Sequence, residues 1–201
     1  MIAKKIQRNR SFKKATDKHV ADLAVYIRAA REGIDQGPTR SEAPEKVLCL
    51  GAMNFVFRDE QAQVAELAAE CTAAKHVPDH WVIAWPQDEA PTNAQLAEAA
   101  EIFMKEMGLS GHKVIWGAHG NTESTHLHLQ ISRVDPATGK IIEINKGFDK
   151  LWAQRALCVI AHKQGWQQIP GCRYEMTDSG PQLKKGVSKG ISNEALYYEK
   201  R

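Results

Sequence analysis

Long apolar runs are missing from this chain: none approaches the roughly 20 residues a helix needs to cross a bilayer, so no membrane insertion is expected. The opening Met1-Ile2-Ala3-Lys4-Lys5-Ile6 passes into more charge and lacks the apolar core of a secretory signal. Cysteine is sparse, with four residues in all. Cys49, Cys71, Cys158 and Cys172 are too scattered for a disulfide framework or a thiolate metal site. Three of them fall in apolar or helical patterns, which points to buried free thiols in a reducing compartment. The net charge is only +3, too small to announce a nucleic-acid partner by itself. Internal repeats are absent, and no pair of carboxylates stands ready to hold a second metal ion.

What remains is ordinary for one soluble domain: 201 residues, 43% hydrophobic and 25% charged, enough to bury a substantial core. The charge is unevenly spread. Residues 1–40 carry Lys4, Lys5, Arg8, Arg10, Lys13, Lys14, Lys18, Arg28, Arg31 and Arg40 against Asp17, Asp22, Glu32 and Asp35. Residues 59–106 are acidic, with Lys75 and Lys105 as their bases. Any nucleic acid should therefore track the N-terminal segment, although charge alone does not separate that reading from a solvated basic face.

Hydrophobic periodicity divides the chain into alternating strands and helices. Ile2 to Ile6 reads as an edge strand. A helix runs from about Ser11 through Leu23 and Tyr26-Ile27 to near Gly33, and Gln36-Gly37-Pro38 is a loop. Val47 to Phe57 is rich in strand formers, with a bend at Gly51. Asp59 caps a helix carrying Val64, Leu67, Ala68 and Cys71 on one face. His80 to Trp85 is a strand stopped by Pro86, and a helix from Pro91-Thr92 closes at Gly108. Asp135 to Lys140 is a turn, and Ile141 to Ile144 reads as a further strand. Asp149 starts a helix that ends at Gly165. The fold class is α/β (α+β): a central, mostly antiparallel sheet covered by helices. Residues 1–170 form the main domain. Residues 171–201 read as a loop-rich basic arm with a short helix at Ser192 to Lys200, either wrapping a ligand or linking to a further domain.

The most informative stretch is Ala118-His119-Gly120-Asn121-Thr122-Glu123-Ser124-Thr125-His126-Leu127-His128-Leu129. Three of the eight histidines lie in it. In an extended segment alternate side chains share a face, so His126 and His128 project together while Leu127 and Leu129 face the core. Val114-Ile115-Trp116 supplies a second strand, and a hairpin turn at Gly120 to Thr125 sets His119 opposite or diagonal to His126. Three imidazoles with coordination positions left open are the makings of a catalytic metal site, since a structural site uses four protein ligands. His19, His76, His80, His112 and His162 carry no such pattern and read as core or surface. Trp81, Trp85 and Trp116 sit on strands and read as core rather than as base-stacking platforms.

The run from His119 to His128, followed by Ser132-Arg133-Val134-Asp135-Pro136-Ala137-Thr138-Gly139-Lys140, resembles the three-histidine motif of plasmid mobilisation relaxases of the MobA/TraI type (the MOBP group). Ser11-Phe12-Lys13-Lys14 with Tyr26-Ile27 is similar to that family's tyrosine motif. His80-Trp81-Val82-Ile83-Ala84-Trp85-Pro86 with Pro91-Thr92 is similar to its central strand and turn, and Ile144-Asn145-Lys146-Gly147-Phe148-Asp149 and Gln164-Gly165-Trp166 also fit. The resemblance covers about residues 1–170 in order. It implies the HUH-endonuclease relaxase fold and one divalent cation, Mg²⁺ or Mn²⁺, on His119, His126 and His128. It also implies a site- and strand-specific nick in single-stranded DNA at an origin of transfer, with resealing after transfer. The partners it implies are accessory mobilisation proteins and a type IV secretion coupling protein. The protein would act as a monomer in the bacterial cytoplasm and travel with the DNA to the recipient cell. Two departures stand out: Asn121 replaces an acid found in many relatives, leaving Glu123 as the nearest carboxylate to handle a proton, and Ser132 stands where relatives tend to have asparagine.

The remaining roles follow from the chemistry that the resemblance implies. A relaxase must keep the energy of the broken phosphodiester for resealing, and attack by tyrosine does so, giving a 5′-phosphotyrosyl adduct while the 3′-hydroxyl leaves. The resemblance makes Tyr26 the candidate nucleophile, where its helical pattern alone reads as a packed tyrosine; Tyr174, Tyr197 and Tyr198 are its rivals. Lys4, Lys5, Arg8, Arg10, Lys13, Lys14 and Arg133 are the candidate DNA contacts. The other readings are a rolling-circle replication initiator of the HUH type, a phosphoesterase using activated water, and a single-strand binding module without chemistry. Initiators place their tyrosine on a helix after the motif, and the expected helix at 149–165 has none.

Overall fold

A computed structural model describes residues 1–6, 17–28, 46–120, 124–144, 148–168 and 171–186. Among them, strands β1 (Ile2–Ile6), β2 (Lys46–Met53), β3 (Asp79–Trp85), β4 (Val114–Gly120) and β5 (Thr125–Ile131) form one sheet in the order β1-β3-β5-β4-β2. Every neighbouring pair is antiparallel. The sheet is thus wholly antiparallel, with β5 in the middle and β1 at the edge. Four helices complete the described domain: α1 (Asp17–Arg28), α2 (Glu60–Ala73), α3 (Asn93–Glu106) and α4 (Asp149–Gln164).

Strand alternation gives the sheet two unlike faces. Trp81, Ile83 and Trp85 of β3, Leu127, Leu129 and Ile131 of β5, and Val114, Trp116 and Ala118 of β4 join Leu96, Phe103, Ala156 and Ile160 of α3 and α4 in the main core. Full burial of side chains this size contributes roughly 1.5–3 kcal/mol each. The expectation that the three tryptophans are core is met. Gly51 has a clear role here: a Cβ on it would lie 2.2 Å from the Trp116 ring, so the indole lies flat across the glycine. On the other face, α1 and α2 bury Val20, Ala24, Leu67, Ala68 and Cys71 against Ile115. That second core covers one end of its face, and the histidines occupy the other.

Local chemistry explains most boundaries. Asp59 caps α2 by accepting from the Ala62 N–H, and Thr92 and Gln95 form a reciprocal capping box at α3. α4 ends at Gly165, which takes the left-handed conformation at φ 77°. β2 stops at Met53, short of the expected Phe57. Asn54 turns to φ 66°, and its amide donates to the carbonyls of Ser110 and His112 at 2.8 and 2.6 Å. Ile141 to Ile144 is no strand; Ile141 makes an isolated bridge to Val134. The chain there is held by the Asp135–Lys140 turn, in which Asp135 Oδ1 accepts from the Ala137 and Thr138 N–H groups.

Residues 171–186 also differ from the loop-rich arm expected. They form a hairpin of β6 (Tyr174–Thr177) and β7 (Gly180–Leu183). Cys172 and Tyr174 pack with Leu151 and Cys158 of α4, and the Gln154 amide oxygen accepts from the Arg173 N–H at 3.1 Å. Polar composition hid this hairpin, because a handful of apolar contacts on α4 suffice to dock it. The helix expected at Ser192 to Lys200 lies outside the described residues.

Candidate active site

The β4–β5 register sets His119 directly opposite His126 and Gly117 opposite His128. All three histidines therefore share the face that α1 crosses, as the alternation argument requires. His119 and His128 are buried, with ring centroids 4.8 Å apart; the His126 and His128 centroids are 6.3 Å apart.

Three contacts bring α1 to this cluster. The Gln130 amide donates to the Val20 carbonyl at 3.0 Å. The Ile27 carbonyl passes so close over Gly117 that a Cβ there would lie 2.4 Å from it. That carbonyl then accepts from His119 Nε2 at 2.7 Å. Arg28 ties α1 to α2 through the Glu60 carbonyl and the Gln63 amide oxygen, each at 3.0 Å. The result puts Tyr26, one residue before Ile27, among the imidazoles. Its ring meets His128, His119 and His80 edge to face, with centroids at 5.4, 6.0 and 6.2 Å.

His80 belongs to the cluster, contrary to its reading as an incidental residue. Its Nε2 lies 3.1 Å from His128 Nδ1. It pairs with Gln130 in the β3–β5 register, so it points to the histidine face one step diagonal from His128. The even spacing of His80, Val82 and Ala84 along β3 held that signal, but only once β3 is known to flank β5. The expectations for His76, His112 and His162 hold, and the His19 side chain lies outside the described residues. His76 is buried and its Nε2 accepts from the Arg133 N–H at 3.3 Å; burial and then the Arg133 charge press its pKa down to about 4. His112 bonds to the Ser132 carbonyl, and burial lowers its pKa.

The donor set suits a divalent cation in kind: three imidazoles on one face of adjacent strands. As the rings stand, His119 gives its Nε2 to Ile27, His126 Nε2 lies 2.8 Å from the Ser124 hydroxyl, and His128 turns Nδ1 to His80. Among the described residues, no three His, Cys, Asp or Glu side chains are grouped to hold an ion. Loading would therefore require the His119 and His126 rings to give up or exchange these partners.

The expected DNA contacts separate by strand parity. Lys4 is exposed and pairs with Val82, itself the partner of His128, so it shares the histidine face. Lys5 points to the opposite face, where Nζ meets Asp79 at 2.8 Å and Asp149 at 2.7 Å. Arg133 Nε also faces Asp79, at 3.3 Å. Neither Lys5 nor Arg133 is brought to the histidines. Arg8, Arg10, Lys13, Lys14, Asn121 and Glu123 lie outside the described residues, as do Tyr197 and Tyr198. Tyr174 is buried against α4 on the far side of the sheet, away from the histidines, and burial raises its pKa.

Comparison with known proteins gives a consistent picture. Residues 39–166 match the relaxase family described as MobA/VirD2-like, nuclease domain. The chain is also similar to Protein MobA of Acidithiobacillus ferrooxidans, 38% identical over 123 residues. That stretch is 61% of this chain but 30% of the relative. No solved structure gives a significant match. Tyr26 precedes the matched segment, so its assignment rests on where α1 carries it.

Proposed function

This chain belongs to the relaxases with a MobA/VirD2-like nuclease domain, and from that premise we propose that it nicks single-stranded DNA at an origin of transfer by tyrosine transesterification. The observation that carries this reading is the Tyr26 ring packed edge-on against His80, His119 and His128. A half-buried phenol packed beside three imidazoles at a sheet surface supports a role in phosphoryl chemistry.

The Tyr26 hydroxyl oxygen attacks the scissile phosphorus. The P–O3′ bond breaks, the 3′-oxygen leaves and takes up a proton, and the 5′-phosphate remains on Tyr26. Resealing is the same exchange in reverse, so no bond energy is lost to water. A phenol with a pKa near about 10 is mostly protonated at neutral pH and needs help to react. Glu123, in the connection between β4 and β5, is proposed to take that proton, since Asn121 has no basic group. A divalent cation, Mg²⁺ or Mn²⁺, held by His119, His126 and His128 would supply positive charge to the non-bridging phosphate oxygens. Lys4 on the same face, with Arg8, Arg10, Lys13 and Lys14 between β1 and α1, is proposed to hold the strand by its phosphates. Delivery to accessory mobilisation proteins and a secretion coupling protein, action as a monomer in the bacterial cytoplasm, and passage to the recipient cell follow from the same reading.

Incubation with a labelled origin-of-transfer oligonucleotide and Mn²⁺ or Mg²⁺, with and without chelator, tests it. The expected product is a covalent protein–DNA adduct, lost on chelation and absent from Tyr26→Phe. An adduct that survives Tyr26→Phe would remove Tyr26 from its role. Repeated turnover without any adduct would indicate an activated-water phosphoesterase, and metal-independent binding without a nick would indicate a binding module.

A further inference from the structure

His80 is absent from the three-histidine motif, yet it reaches a member of that motif from the neighbouring strand: its Nε2 lies 3.1 Å from His128 Nδ1. We propose that His80 is a positioning residue that fixes His128 in the tautomer with its proton on Nδ1, leaving the Nε2 lone pair for the site. This rests on the metal reading of His119, His126 and His128. Two ring nitrogens at this distance must share one proton between them, one donating and one accepting. If His80 donates, His128 must carry its own proton on Nε2 and would turn an N–H toward any cation. If His128 donates from Nδ1, its Nε2 is a ligand, and His80 accepts through Nε2 while carrying its own proton on Nδ1. Only the second arrangement serves a metal site.

The fold holds this pair tightly. Both histidines are buried and stand on hydrogen-bonded neighbouring strands. Their ring centroids are 5.4 Å apart at an interplanar angle of 32°. The Tyr26 ring lies edge-on against both, closing the pair from the side of α1. A ligand imidazole whose second nitrogen is held has a fixed ring orientation and greater basicity. A carboxylate acceptor would do the same, but would bring a negative charge into a site that must receive a phosphate. A neutral imidazole acceptor orients His128 without offsetting the cation's charge.

Side-chain ¹⁵N–¹H correlation spectra of ¹⁵N-histidine-labelled protein, paired with calorimetric titration of Mn²⁺, test the assignment in the full chain. In the metal-free wild type, His128 is expected to carry its proton on Nδ1. In His80→Ala it should move toward the Nε2–H form, with Mn²⁺ binding weakened about 10–100-fold, the usual range for loss of a ligand's hydrogen-bond partner. His80→Gln, whose amide oxygen can accept the same bond, should keep the tautomer and hold affinity within about threefold of wild type. If His80→Ala does not fold, the wild-type spectrum and His80→Gln decide. A wild-type His128 protonated on Nε2, or a folded His80→Ala matching wild type in both tautomer and affinity, overturns the proposal. A wild type that keeps the Nδ1 proton but takes up no Mn²⁺ sinks the metal reading and leaves the tautomer assignment standing.

Discussion

At the scale of single residues, the histidines of this chain divide by what their nitrogens touch. His76 is buried away from the site, and its Nε2 accepts the Arg133 N–H, a bond only the neutral ring can make. Burial and the Arg133 charge hold its pKa near about 4, below the usual value near 6.5. In the interval between these values the unfolded chain binds a proton that the folded chain does not, so stability rises with pH across that interval. The slope should be about 1.4 kcal/mol per pH unit, and the total on the order of 3 kcal/mol, present above about pH 6.5 and lost as pH falls to about 4. Urea unfolding between pH 4 and 7 measures it. His76→Gln, which has an oxygen to accept the same N–H and no titration, should flatten this part of the profile; an unchanged slope would assign it to other groups.

At the scale of elements, the site depends on how closely α1 lies on β4. Gly117 makes that approach possible, because a Cβ would press against the Ile27 carbonyl at 2.4 Å and the Leu50 side chain at 2.9 Å. Gly117→Ala should therefore lift the Tyr26 end of α1, costing about 1–3 kcal/mol of stability as overpacking does. It should lower adduct formation more than it lowers β-sheet content by circular dichroism. Full adduct yield in a folded Gly117→Ala protein would show that α1 can be displaced without consequence. Thr92→Ala, at the start of α3 on the opposite face of the sheet, serves as contrast: loss of its capping box should cost about 1 kcal/mol and leave adduct formation intact at temperatures where the protein is folded. The contrast also marks what can be read in a sequence. Caps, amphipathic faces and His-x-His alternation are local, so the boundaries of α2, α3 and α4 and the shared face of His119, His126 and His128 were legible. The placing of α1 over Gly117, the neighbour relation of β3 and β5 that admits His80, and the docking of β6–β7 on α4 depend on contacts between residues distant in sequence. No periodicity encodes them.

At the scale of the whole molecule, the sheet keeps two charge environments apart. Lys4 and Lys5 are adjacent in a basic stretch and were expected to act alike, yet β1 sends them to opposite faces. Lys4 lies on the histidine face, two strands or about 10 Å of sheet from His128, while Lys5 closes an ion cluster with Asp79 and Asp149 that Arg133 joins. That cluster joins β1 and β3 to the start of α4, and its carboxylates would repel a phosphate backbone. A phosphate contact releases counterions, so losing one should reduce the slope of log affinity against log salt by about 0.7 for single-stranded DNA. Lys4→Ala should show that reduced slope in fluorescence anisotropy titrations, with little change in stability, because its side chain is exposed. Lys5→Ala should leave the slope unaltered and lower stability by about 1–3 kcal/mol, between the values for exposed and buried ion pairs. Thermal or urea unfolding separates the two effects. If instead Lys5→Ala flattens the salt dependence and Lys4→Ala does not, the DNA runs over the face of Asp79 and Asp149, and the histidine face is not where the strand binds.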